Sequence, residues 1–412
     1  MSITRTDLEA LDLADALAPI REKFDLPPGV VYLDGNSLGA LPRATPARVA
    51  QVVQQEWGQG LIRSWNDAGW MATPARVGDK IARLIGAAPG TVMVADSTSV
   101  NIFKLLGAAL SARPDRRVVV SEQRNFPTDL YVAEGLAALL DRGHTLRLAE
   151  PQAIVAAIDD DTAVVLLTHV NYHSGAMHDM ATITRAAHAK GALVLWDLAH
   201  SAGAVPVDLA ACNVDLAVGC GYKFLNGGPG APAFLYVAPR LQEAVRYPLT
   251  GWLGHAAPFA FEPGYRPGAG IARTMVGTPP VLSLAALEVG VDIALQAPMD
   301  QVRAKSVHQT TLFAALLEQR CGPWGFRLAS PRNSARRGSQ LCLAHDQAYP
   351  IMQALIARGV IGDFRAPDIL RFGITPLYTR YTDLWEAAEA LRLVMVRGEW
   401  QQAHHRARRA VT

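Results

Sequence analysis

Six short apolar runs, at residues 91–96, 117–121, 162–168, 193–197, 216–219 and 233–237, are rich in valine, leucine and alanine and show no polar alternation. A strand with one wet face alternates and a strand buried on both faces does not, so these runs predict a mainly parallel sheet covered by helices. Apolar stretches of helical length at 100–112, 128–140, 151–158 and 183–190 fall between most of them, which is the strand–helix alternation of an α/β domain. A further helix is expected over 45–57, with Thr45 as its cap and Pro46 at the first helical position. Ligands of such sheets gather at the carboxyl ends of the strands, and Asp96, Thr168, Asp197 and Lys223 all fall at or just past those ends.

After residue 297 the texture changes. Two long amphipathic stretches, 301–320 and 382–400, bracket short strands near 340–344 and 370–375, the pattern of a smaller α+β domain. A chain of 412 residues exceeds one small core. The expected organisation is an N-terminal segment (1–44) packing on the small domain, a large domain (45–297) and a small C-terminal domain (298–412), joined at Gln296-Ala297-Pro298. The basic stretch from His404 to Arg409 reads as a solvated, frayed end.

A formal charge of +2 and the lack of a basic stripe interleaved with aromatics argue against nucleic acid as a partner. No apolar run is long enough to cross a bilayer, and Met1-Ser2-Ile3-Thr4-Arg5-Thr6-Asp7 has no signal-type apolar core, so no membrane partner and a cytoplasmic location are expected. The four cysteines, Cys212, Cys220, Cys321 and Cys342, lack metal or redox spacing and read as reduced thiols, with no metal site.

The chemistry is carried by Gly219-Cys220-Gly221-Tyr222-Lys223-Phe224-Leu225-Asn226-Gly227-Gly228-Pro229-Gly230, which sets a lysine on a glycine-rich turn just past a buried strand. A cation there is costly unless paired or neutralised, and covalent attachment to pyridoxal phosphate (PLP) neutralises it while making a catalyst. Upstream, Leu193-Val194-Leu195-Trp196-Asp197-Leu198-Ala199-His200 ends a buried strand in a carboxylate. PLP needs an acid partner for its pyridinium nitrogen as well as a lysine for its aldehyde, and Asp197 and Lys223 supply the pair.

Five runs together resemble kynureninase: Tyr32-Leu33-Asp34-Gly35-Asn36-Ser37-Leu38-Gly39, Phe126-Pro127-Thr128-Asp129, Asp197-Leu198-Ala199-His200, residues 221–230 and Gly251-Trp252-Leu253-Gly254-His255. The resemblance implies a fold-type-I, aspartate aminotransferase-like PLP enzyme of class V. It would be a homodimer with shared active sites that hydrolyses L-kynurenine to anthranilate and L-alanine. Carried over residue by residue, it makes Lys223 the cofactor lysine and Asp197 the pyridinium partner. Thr98 and Ser99 form the phosphate turn, where a helix N-terminus favours an anion. Phe126, Pro127, Thr128 and Asp129 match the segment covering the ring, and Thr168, His200 and Tyr222 match further cofactor contacts. Trp252 and Thr278 match positions that reach the phosphate of the neighbouring subunit. Arg371 matches the clamp for the substrate α-carboxylate, which a planar guanidinium suits. Trp65, Gly277 and Thr278 match pocket positions of the bacterial branch, for which 3-hydroxykynurenine is the poorer substrate, and Asn36 joins the expected substrate contacts.

Within that reading Lys223 is also the base that removes the α-proton, and Tyr222 is the acid assisting the later carbonyl or β-carbon step. Plainer roles stand beside several assignments. His200 could be a core histidine, Trp65 a packed aromatic, Cys220 a packing residue, and Arg371 the partner of Asp363 or Asp368. A cysteine desulfurase of the same class would need a nucleophilic cysteine on a mobile loop. A regulator or cofactor carrier would have no need of Arg371.

Overall fold

The computed structural model describes residues 3–408, and the chain forms two compact units. The larger comprises residues 44–172 and 178–295; the smaller comprises residues up to 43, 173–177 and those from 296 onward.

The large unit is built on a seven-stranded sheet: β1 (Val92–Val94), β2 (Val118–Glu122), β3 (Thr145–Ala149), β4 (Thr162–Thr168), β5 (Leu193–Asp197), β6 (Leu216–Gly219) and β7 (Phe234–Val237). Its spatial order is β1-β7-β6-β5-β4-β2-β3. Pairings among β2 to β6 are parallel, whereas β7 runs antiparallel to both of its neighbours, β6 and β1. Every residue of β1, β2, β4, β5, β6 and β7 is buried. The exception is β3, absent from the expected set: it lies at the edge, half wet, so its Thr-Leu-Arg-Leu-Ala run never needed to be uniformly apolar. The core joins Ile102, Leu105 and Leu106 of helix α1 (Thr98–Ser111) and Leu136 of helix α2 (Pro127–Leu140) to Leu166, Leu195 and Val218 of the sheet. Each such fully buried aliphatic side chain contributes roughly 1.5–3 kcal/mol relative to exposure.

Local expectations change in three places. Ala44, not Thr45, is the N-cap, so Thr45 makes no capping bond, and the helix Thr45–Gln51 widens into a π-helix over Val52–Trp57. The stretch 151–158 is a 3-10 turn, Pro151–Ala153, followed by a single helical turn, Ile154–Ala157. The basic tail is docked rather than frayed as far as Arg408: His405 is buried, Tyr349 Oη donates to the Ala407 carbonyl at 2.8 Å, and the Arg408 guanidinium lies 4.2 Å from the Tyr349 ring centroid. Arg409 lies outside the described residues.

In the small unit the sheet order is β8 (Arg327–Leu328), β9 (Gln340–Ala344), β11 (Ile369–Gly373) and β10 (Asp363–Arg365), all antiparallel. The long helices Met299–Cys321 and Tyr381–Val396 supply Phe313, Leu316, Leu384 and Leu391 to a core with Leu341 and Phe372 of the sheet. The N-terminal segment belongs to this unit: Leu8 and Leu33 enter that core, and Val31–Tyr32 pairs in parallel with Val360–Ile361.

Candidate active site

Lys223 stands on a loop tied at its base. The Gly227 amide donates to the Gly221 carbonyl and the Asn226 amide to the Lys223 carbonyl, each at 2.9 Å, while Asn226 takes a left-handed φ of 54° and its side chain donates to the Phe224 carbonyl. Gly227 is required by close approach, since a Cβ there would run into the Gly221 carbonyl and the Ala231 side chain. The loop leaves Lys223 half-buried, its Nζ 5.8 Å from the ring centroids of both Phe126 and Tyr222. Of the chain's six lysines, Lys80, Lys104, Lys190 and Lys305 hold carboxylates in ion pairs, and Lys23 and Lys223 have none among the described residues. Only Lys223 of those two belongs to the large unit.

Around it the strand ends converge. Asp197 closes β5, in register with Thr168 of β4 and Val218 of β6, and accepts a hydrogen bond from the Ala199 amide at 2.7 Å. Asp197 has no cationic ion-pair partner among the described residues; burial pushes its carboxyl up, and the charge of Lys223 opposes the shift. Asp129, on the first turn of α2, is equally buried and pushed well up by burial and then by the charge of Asp197. Burial disfavours the charged form of both carboxyls, the charge of Asp197 disfavours it further in Asp129, and the charge of Lys223 opposes the shift in each.

A residue not anticipated from the sequence organises this cluster. Asn125 Oδ1 accepts from the Thr168 amide at 3.0 Å and from Thr168 Oγ1 at 2.5 Å, while its Nδ2 donates to Asp129 Oδ2 and Ser121 Oγ at 3.3 Å. Thr168 Oγ1 also lies 3.3 Å from Asp129 Oδ2, so all three side chains form one buried knot. His200 is buried on the turn after β5. Phe126 precedes Pro127 at the start of α2, and its ring packs edge-on against Tyr172, a second unanticipated neighbour, at 5.3 Å. Burial, then Cys220 and Asp197, push the Tyr222 phenol up, so it keeps its proton at neutral pH.

Thr98 and Ser99 open α1 as placed, behind Ser97, whose hydroxyl accepts from the Val100 amide at 3.3 Å and is the actual cap. Trp252 is 41% exposed and packs edge-on against Phe259, and Thr278 is exposed. A Cβ on Gly277 would meet nothing within 4 Å, so packing does not require that glycine. Trp65 packs at 88° against Trp70, which donates to Glu56 at 2.7 Å, the contact of the plainer reading.

In the small unit Arg371 on β11 faces Asp363 on β10, its cross-strand neighbour. Nε donates to Asp363 Oδ1 at 2.8 Å, and Nη2 donates to Asp363 Oδ2 and, at 2.7 Å, to Ser37 Oγ. The alternative partner Asp368 instead lies beside Arg327. Asn36 is buried here, and with its amide oriented to satisfy both ends it donates to Asp34 Oδ1 at 3.2 Å and accepts from Arg371 Nε at 3.1 Å. Burial and the charge of Asp363 push the Asp34 carboxyl up to about 7 against the pull of Arg371.

Residues 302–391 match the model of the kynureninase C-terminal domain, and residues 73–218 match that of the DegT/DnrJ/EryC1/StrS aminotransferase family. The chain is 55% identical to a kynureninase of Burkholderia pseudomallei and 54% identical to one of Pseudomonas fluorescens, with 99% of this chain and 100% of each relative covered. It belongs to the kynureninase family. Among solved structures, the fold matches a cysteine desulfurase from Thermococcus onnurineus (TM-score 0.76, 16% identity, 92% of this chain and 98% of that one). It also matches a cystine C–S lyase bound to cysteine persulfide (TM-score 0.76, 17% identity, 88% and 97%).

These residues fit PLP on their own geometry: among the described residues, a buried carboxylate without a cation at Asp197, an amine without a carboxylate at Lys223, and a helix start at Thr98 and Ser99. Burial pushes Cys321 up to about 12 and Cys342 to about 11, and raises Cys212 and Cys220. Among the described residues no three or more histidines, cysteines or carboxylates are grouped to hold a metal ion, and no single helix is long and apolar enough to cross a membrane.

Proposed function

We propose the following division of labour for the PLP-dependent hydrolysis of L-kynurenine to anthranilate and L-alanine, the reaction of this family. The reading is carried by Lys223, a lysine without an ion pair among the described residues, set near the buried carboxyls at the strand ends of the large unit. When bound, PLP supplies an aldehyde for the substrate amine and a ring that takes up the electron pair released at the α-carbon. Asp197 would hold a proton on the ring nitrogen. Thr98, Ser99 and the amides at the start of α1 bind the phosphate, and Phe126 with Pro127 and Thr128 covers the ring. Asn125 fixes Thr168 and Asp129 behind it, and His200 borders the same pocket.

Lys223, once displaced, takes the α-proton. Water then adds to the side-chain ketone, the bond from that carbon to the β-carbon breaks to release anthranilate, and a proton delivered to the β-carbon together with one returned to the α-carbon completes alanine. Tyr222, protonated and beside Lys223, donates in the carbonyl or β-carbon step. Arg371 receives the α-carboxylate on the family pattern, with Asn36 beside it. Its guanidinium is held flat by Asp363 and Ser37, which orders the fork before substrate arrives. Trp65 and Gly277 line the aryl end, and 3-hydroxykynurenine is the poorer substrate. The active unit is a homodimer in which the exposed Trp252 and Thr278 reach the neighbour's phosphate, so the sites are shared.

The test is anthranilate fluorescence from purified, PLP-loaded protein given L-kynurenine, beside Lys223→Ala and beside 3-hydroxykynurenine. Rapid release that vanishes in the variant is expected, with slower turnover of the hydroxylated substrate. PLP bound to Lys223 without release of either aromatic acid would overturn the reading.

A further inference from the structure

Lys104 is wholly buried in the second turn of α1, a place where an aliphatic residue would serve packing better. Its side chain leans back toward the helix start, as helical side chains do, and Nζ donates to Asp96 Oδ2 at 2.6 Å and to the Thr274 carbonyl at 2.9 Å. Burial lowers the affinity of Lys104 for its proton, and the charge and hydrogen bond of Asp96 oppose that shift in part. The partner is the unusual residue. Asp96 takes a φ of 52°, a left-handed conformation that non-glycine residues adopt at a cost.

That kink lies where β1 ends and the phosphate turn begins. The Ala95 amide and the Asp96 carbonyl both bond to Ala233, and the buried Asn101 side chain donates to the Ala95 carbonyl at 2.8 Å. The chain therefore leaves the sheet at a strained residue and enters Ser97-Thr98-Ser99 immediately. Lys104 fixes the strained carboxylate from below. Through Thr274 it also fixes the 3-10 turn Gly270–Thr274, which leads into Gly277 and Thr278.

We propose that Lys104 is a positioning residue for the phosphate end of the cofactor: by clamping Asp96 and Thr274 it holds the Ser97–Ser99 turn and the approach to Thr278 in register. The inference rests on the reading of Thr98 and Ser99 as phosphate ligands. It explains why a lysine occupies a dry position, touches no solvent and serves no other carboxylate among the described residues.

The experiment compares equilibrium binding of PLP and of pyridoxal, which lacks the phosphate, to the full-length apo chain. Wild type, Lys104→Met and Asp96→Asn are followed by the visible absorbance of the bound cofactor, with apo melting temperatures alongside. Lys104→Met is expected to weaken PLP about tenfold, the order of a helix-terminus anion interaction, while pyridoxal changes by less than about twofold. Asp96→Asn, which keeps the side chain's size, should shift in the same phosphate-selective direction by a smaller factor and stands in if Lys104→Met does not fold. Equal weakening of PLP and pyridoxal, or a lower apo melting temperature with both affinities unchanged, would make Lys104 merely structural and overturn the proposal. A wild-type chain that binds PLP no better than pyridoxal would instead overturn the phosphate reading beneath it.

Discussion

Both units bury an acidic cluster against a cation, and they treat the cation in opposite ways. In the small unit Arg371 is forked onto Asp363, braced by Ser37, and Asp363 also takes Arg365 at 2.6 Å. In the large unit Asp197 and Asp129 are as deeply buried, yet their hydrogen bonds come from neutral groups: the Ala199 amide, Thr168 and Asn125. Lys223 stands off, near two aromatic rings. A buried charge left without its counter-ion costs several kcal/mol. The small unit avoids that cost through the fork, whereas the large unit retains it at the place where a protonated ring nitrogen and an aldehyde would relieve it. On the proposed reading, the contrast separates a group held ready to orient a ligand from a group held ready to react with one.

The largest expected effect falls on the unpaired side. Asp197→Ala should lower anthranilate turnover by about a thousandfold, the scale of losing one preorganised electrostatic group, with the protein still folded; turnover within tenfold of wild type would erase the contrast. Arg371→Met removes the fork and leaves Asp363 to Arg365, and should destabilise the small unit by about 2 kcal/mol in urea melts, the scale of a lost hydrogen bond to a charged group, besides raising KM. Loss of affinity without loss of stability would mean the fork contributes nothing to folding. Tyr222→Phe should cost about a hundredfold in turnover with PLP still bound, and unchanged turnover would remove the phenol from the acid role.

A separate effect, on stability alone, is a pH slope. Asp34 binds its proton more tightly folded, at about 7, than at its ordinary value of 3.8, so the folded chain holds the extra proton between those limits. Stability should then fall as pH rises from about 4 to 7, and Asp34→Asn should flatten that fall in melts across the window. An identical slope in the variant would show that Asp34 does not titrate there.

How much of this was readable in the residues follows burial. β4 and β5 matched to the residue because both of their faces are dry, which forces uniform apolarity. β3 escaped because an edge strand is free to carry Arg147 and a wet face. Lys223 and Asp197 announced themselves as charges at the ends of apolar runs. Asn125 did not: an amide after a strand resembles any turn residue, and its importance lies in partners at 129 and 168 that only the fold assembles. The pairing of Arg371 with Asp363 was within reach as a hairpin neighbour, but the choice over Asp368 depends on the register of β10 against β11.

The most direct test is borohydride reduction of the PLP-loaded protein followed by peptide mapping of the six lysines. Phosphopyridoxyl on Lys223 alone is the expected result; label on any of the other five lysines, or absent from Lys223, would contradict the claim that the large unit reserves for the cofactor its lysine without an ion pair among the described residues.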